Sequence, residues 1–161
     1  MKDIIGLILA VLILFGGCGN DTSGSTEEKR KLELTTQDIT IQIPADAAPV
    51  LQALGEPIQY TEVPSCAFEG MEKTYFYGSF YITTRPEAGK ESICTLWFAD
   101  DSIATDEGVR IGDPREAVEA AYGTNCRKEE DEYVIEGDDS KLTILVKDGS
   151  VSHILYEEII P

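Results

Sequence analysis

The chain has 161 residues, with 30 Asp and Glu against 13 Lys and Arg, and a formal net charge of −17 at pH 7. Nucleic-acid phosphates and anionic lipid headgroups repel such a chain, which excludes nucleic acid as a partner and excludes membrane binding through a basic patch. The length suits one domain or two small repeats.

After Met1-Lys2-Asp3, Ile4 to Phe15 form an apolar run of twelve residues. That is the length of a signal-peptide core and falls short of the ~20 residues that span a bilayer. The run ends in Phe15-Gly16-Gly17-Cys18. This resembles the lipobox of bacterial lipoproteins, where small residues precede a cysteine that is lipidated and becomes the new N-terminus; Phe15 departs from the usual leucine. The resemblance implies a lipoprotein signal peptide over 1–17, an acyl anchor such as palmitate on Cys18, and a place on the extracytoplasmic face of a cell membrane. Membrane contact then comes from the acyl chains. Residues 19–31, "GNDTSGSTEEKRK", cannot build a core and read as a tether with a root-mean-square span of about 20 Å. The expected layout is signal peptide 1–17, lipidated cysteine and tether 18–37, and folded domain 38–161.

Two later segments resemble each other. "DAAPVLQALGEP" (46–57) and "DPREAVEAAYGTN" (113–125) each pair an Asp N-cap with apolar residues at helical spacing and a closing Gly. "KTYFYGSFYITT" (73–84) reads as a hairpin turning at Gly78-Ser79, with "SICTLWFAD" (92–100) as the next strand. "EYVIEGDDSKLTILVKDGSVSHILYEE" (132–158) supplies three more strands. Some ten residues around "IQYTEVPSCAF" have no counterpart in the second copy. The expected fold is α+β: two repeats of a helix plus three antiparallel strands, about 38–105 and 106–161, forming a continuous sheet with the helices on one face.

The paired helix-"LGEP" and helix-"YGTN" elements, each followed by strands, resemble β-lactamase inhibitor protein and the small lipoprotein of the outer-membrane assembly machinery. "SCAFEGMEKTYFYGSFYITT" and "DDSIATDEGVRIGDPREAVEAAYG" are similar to a group of uncharacterised Gram-positive lipoproteins. The resemblance implies a fold and a surface location and no activity, and the inhibitor's contact residues have no counterparts here.

The chemistry-bearing residues do not assemble into a catalytic pattern. The single histidine, His153, lies in the last strand, and no Gly-x-Ser-x-Gly elbow or phosphate loop is present. Acid pairs abound in an acidic chain and fall mostly in turns. "DDSIATDEG" fails the calcium-loop spacing, leaving weak calcium binding as a remote option, and zinc has too few ligands. No metal and no cofactor is expected. With Cys18 assigned to the anchor, three cysteines remain; Cys66–Cys126 is the preferred disulfide, Cys66–Cys94 the alternative, and three reduced thiols the third option.

Strand alternation puts Tyr75, Tyr77, Phe80 and Ile82 on a core face, with Cys94 beside Leu96 and Phe98. The other face carries Phe76, Tyr81, Trp97, His153 and Leu155 among threonines. An uncovered aromatic face of this kind marks a binding surface; cover by the N-terminal strand or a loop is the competing reading. The expected function is a membrane-anchored, non-enzymatic module that binds a protein or peptide. The alternatives are an envelope assembly or stress factor and, last, an extracellular hydrolase using His153 or an acid pair.

Overall fold

Local turn and cap chemistry sets the element boundaries of the computed structural model, which describes residues 31–160. The N-terminal hairpin joins β1 (Glu33–Thr36) to β2 (Ile39–Gln42). Its turn, Gln37-Asp38, has φ of 50° and 63°, the doubly left-handed backbone that matches strand twist. A two-residue β3 (Ala45–Asp46) leads into α1 (Ala47–Leu54), where the Asp46 side chain accepts the Ala48 N–H at 3.1 Å and Gly55 ends the helix at φ 76°.

Four strands follow: β4 (Gln59–Pro64), β5 (Met71–Phe76), β6 (Phe80–Glu87) and β7 (Lys90–Phe98). The β5–β6 turn is at Gly78-Ser79, closed by Tyr77 N–H donating to Phe80 C=O at 3.0 Å. A connector then leads to α2 (Arg115–Tyr122), a 3-10 turn at Gly123–Asn125, and four more strands: β8 (Arg127–Glu129), β9 (Glu132–Glu136), β10 (Ser140–Lys147) and β11 (Ser150–Glu158). The expected Asp113 cap of α2 does not form. Pro114 takes the cap position without a side-chain bond, and Asp113 instead accepts the Arg110 N–H at 2.8 Å, closing a turn.

The expected α+β fold of helix-plus-three-strand repeats is corrected by this architecture. Among the described residues strand makes up 50% and helix 15%, and one nine-stranded antiparallel sheet dominates. Each helix is followed by four strands. The sheet runs β4-β5-β6-β7-β11-β10-β9-β8, with β3 paired to β7 off this path. The three strands expected in each copy are joined by a fourth, an exposed edge strand, β4 or β8, whose residues lack the apolar alternation that signals a strand.

The core lies on one face. A single cross-strand row, Tyr75–Ile82–Leu96–Tyr156–Leu142–Ile135, crosses it, and all but Tyr75 are at most 2% exposed. The same hydrophobic cluster contains Ala47 of α1, Val118 and Tyr122 of α2, and Leu34 and Ile41 of the β1–β2 hairpin. The helices and the N-terminal hairpin therefore cover one side of the sheet. Each fully buried Leu, Ile or Phe there contributes roughly 1.5–3 kcal/mol from apolar burial. Leu32 and Leu34 are in this core, so packing begins before residue 38.

One ion pair ties the sheet halves together. Arg85 on β6 reaches past β7 to Glu158 on β11, donating from Nε at 2.8 Å and from a terminal nitrogen at 2.7 Å, and Phe68 lies under its guanidinium.

Candidate functional site

The face opposite the core carries a second cross-strand row. The register aligns Gln59, Phe76, Tyr81, Trp97, Leu155, Thr143, Val134 and Arg127 across eight strands. Its first half is aromatic: Phe76 and Tyr81 stack with ring centroids 4.4 Å apart, and Tyr81 and Trp97 at 4.7 Å. Phe76, Tyr81, Trp97 and Leu155 are half-buried and stand outside the hydrophobic core cluster. Tyr81 is held between two rings, so its faces are occupied and its edge points away from the sheet.

A parallel row runs beside it: Thr61, Thr74, Thr83, Thr95, Glu157, Lys141 and Glu136. The Thr74 and Thr83 hydroxyls are 3.2 Å apart, and Lys141 pairs with Glu157 at 3.2 Å. The surface thus sets an apolar ridge against a line of hydroxyls. His153 sits on this side too, opposite Leu145 and two residues from Leu155.

The structure brings together every residue expected on this face. Of the competing reading, cover by the N-terminal strand or a loop, the strand half does not form among the described residues, since β1 and β2 pack on the core side. The alternation fails at Cys94. Thr83 pairs with Thr95 and Thr84 with Ile93, so Cys94 is the extra residue of a bulge, and Ile93 takes the core position. The Cys94 thiol instead contacts the Thr83 carbonyl at 3.3 Å, and burial pushes its pKa up. Cys66, Cys94 and Cys126 are free thiols, so neither Cys66–Cys126 nor Cys66–Cys94 is bridged. Cys18 lies outside the described residues.

A second feature had no sequence signal. A cleft of about 700 Å³ opens between α1 and the ends of β5, β6 and β7, lined by Leu51, Met71 and Pro86 beside the ion pairs Asp46–Lys90 and Lys73–Glu91. Glu91 also accepts from Tyr75 at 3.2 Å and Thr84 at 3.3 Å. Burial alone raises a carboxyl pKa, but the Lys73, Tyr75 and Thr84 bonds outweigh it, and Glu91 sits below the usual range. The residues come from five elements, β3, α1, β5, β6 and β7, and only the completed fold unites them.

Three of the four carboxylates of "DDSIATDEG" have structural duties. Asp100 accepts the Ser102 N–H at 2.9 Å, Asp106 the Thr35 N–H at 2.8 Å, and Glu107 the Tyr122 hydroxyl at 2.7 Å. Among the described residues no three His, Cys, Asp or Glu side chains gather as a metal site, and no helix is long and apolar enough to cross a membrane.

No protein-family model matches the chain, and no curated protein does. Among solved structures, the fold is similar to an extracellular protein containing an SCP domain from Bacillus anthracis str. Ames. The TM-score is 0.51 at 12% identity, over 92% of this chain and 50% of that one. The chain thus spans half the length of that relative, and identity this low shows a shared fold alone. A more distant likeness is to the uncharacterized protein yfeY from Escherichia coli, with TM-score 0.42 and 16% identity over 81% of this chain and 97% of that one. The likeness to β-lactamase inhibitor protein and to the lipoprotein group rests on the sequence alone.

Proposed function

We propose that this chain is a lipid-anchored, extracytoplasmic binding module that takes a protein or peptide on its open sheet face. The supporting observation is the stacked row Phe76–Tyr81–Trp97, outside the core and beside a line of threonine hydroxyls. Rings that stack on each other present edges. Edges suit apolar side chains and backbone carbonyls of a polypeptide, whereas a sugar ring needs an open aromatic face to lie on. The threonines supply hydroxyl donors and acceptors at strand spacing for the partner's polar groups. A net charge of −17 favours a basic partner surface. The anchor on Cys18 holds the domain near the membrane.

Photo-crosslinking tests the reading. A crosslinking amino acid at Tyr81 in the full chain, in native membranes, should give one recurrent protein adduct. The same group at exposed Lys147, on the far hairpin, should give none. Equal adducts at both positions, or none at Tyr81, would sink it. Fatty-acid labelling lost on Cys18→Ser checks the anchor.

A further inference from the structure

We infer that two copies of this chain pair through β4, edge to edge and antiparallel, about a two-fold axis at Thr61. This stands independently of the open-face reading. The two sheet edges differ. β8 is three residues long and wholly charged, Arg127-Lys128-Glu129, with Arg127 paired to Glu129 at 3.1 Å, which is how natural edges resist pairing. β4 has six residues, all exposed, and a single charge, Glu62. Of the seven large apolar side chains most exposed among the described residues, four lie on this hairpin: Ile58 at 68%, Val63 at 56%, Tyr60 at 47% and Met71 at 37%.

The backbone parity defines what the edge offers. Ser65 N–H donates to Gly70 C=O at 3.0 Å, in register with the β4–β5 pairs Val63–Glu72, Thr61–Thr74 and Gln59–Phe76. Those odd-numbered residues therefore turn their backbone bonds inward, and Tyr60 and Glu62 turn theirs outward. Pro64 has no N–H to offer. Centring a second β4 on Thr61 sets Tyr60 opposite Glu62 of the other copy, twice, so both outward N–H groups of each strand find carbonyls. Gln59 then faces Val63, Ile58 faces Pro64, and no charge faces its like. A shift of one pairing step toward Pro64 sets Glu62 against Glu62, which is destabilising. The overall charge of each copy opposes association, and this register keeps the one local charge away from itself. Because β8 is blocked, pairing through β4 closes as a two-fold dimer and leaves only the charged β8 at the ends of the nine-stranded sheet.

The test is sedimentation equilibrium of the full chain in density-matched detergent micelles. Wild type should dimerise as concentration rises. Thr61→Lys sets two ammonium groups face to face and should raise the dimer dissociation constant by roughly fivefold or more. Tyr60→Lys sets each ammonium opposite Glu62 and should lower it by roughly fivefold. Both variants change the net charge equally, so a difference in direction reports the register. A chain that stays monomeric, variants that shift the same way, or variants that shift nothing overturn the proposal; so does a peptide strand that occupies β4 while the chain stays monomeric. Oxidation of Thr61→Cys gives a check that does not depend on Thr61→Lys folding. Facing non-hydrogen-bonded residues lie about 4.5 Å apart at Cα, within disulfide reach, so a linked dimer should exceed the wild-type background, and Tyr60→Cys should not do so.

Discussion

Replacing Glu158 by Ala removes one partner of a pair that is almost out of water. The side chains of Arg85 and Glu158 are 10% and 11% exposed, and two charge-assisted bonds of 2.8 and 2.7 Å join them. Stripping one partner from a buried pair costs about 3–5 kcal/mol, chiefly because the remaining charge is stranded. Here Glu87, 53% exposed, already lies 3.3 Å from the guanidinium and can take up part of its charge, which brings the expected cost to about 2–3 kcal/mol. For a fold of this size that lowers Tm by about 6–12 °C. The assay is urea unfolding with a parallel thermal melt of wild type, Glu158→Ala, and the double variant Arg85→Met with Glu158→Leu. Because the double variant strands no charge, it should recover most of the loss. Glu87→Gln should cost about 0.5 kcal/mol or less. A Glu158→Ala protein within about 0.5 kcal/mol of wild type would refute the claim that this pair holds β6 to β11.

Other consequences concern the cleft, the thiols and one loop glycine. Glu91 has its native pKa lowered, so the stability it contributes is present above its unfolded value of about 4.3 and is lost as pH falls through the native value. Glu91→Gln should therefore lower the urea midpoint at pH 7 and flatten its fall below pH 5; an unchanged acid limb would contradict the network. Alkylation without reductant should label three thiols by intact mass in a soluble form lacking Cys18, with exposed Cys66 first and Cys94 last, its thiol being buried and raised in pKa. Two missing labels that appear only when reductant is added to the unfolded chain would mean a disulfide. Gly70 has φ 123°, and a Cβ there would meet Pro86 Cγ at 2.9 Å. Gly70→Ala should then cost about 1–3 kcal/mol, more than Gly89→Ala, whose φ is also positive but whose surroundings are open. Equal melting shifts would show that the contact is harmless.

The features readable from sequence were those with local causes. The Asp46 cap, the Gly55 stop and the Gly78-Ser79 turn are each set within a few residues, and each is present. The open-face residues were legible because period-two alternation survives through β5, β6 and most of β7. It broke at Cys94, where a bulge shifted the face, and no local residue pattern announces a bulge between Ile93 and Thr95. The edge strands were hidden for a different reason. Gln59–Pro64 and Arg127–Glu129 bury nothing, so hydrophobic patterning has nothing to report, and missing them turned four strands per copy into three. The Arg85–Glu158 pair and the cleft join residues far apart in sequence, and only the completed sheet brings them together.

The open face carries its own reporter, since Trp97 is the single tryptophan. The most direct measurement titrates the protein captured by the Tyr81 crosslink into wild type and Tyr81→Ala, follows Trp97 emission, and melts both proteins alongside. Binding to wild type should shift the emission, and the affinity should be at least tenfold weaker in a Tyr81→Ala protein that remains folded, as expected for a central aromatic contact. Unchanged Trp97 emission with unchanged affinity, or a Tyr81→Ala chain that unfolds, would contradict it.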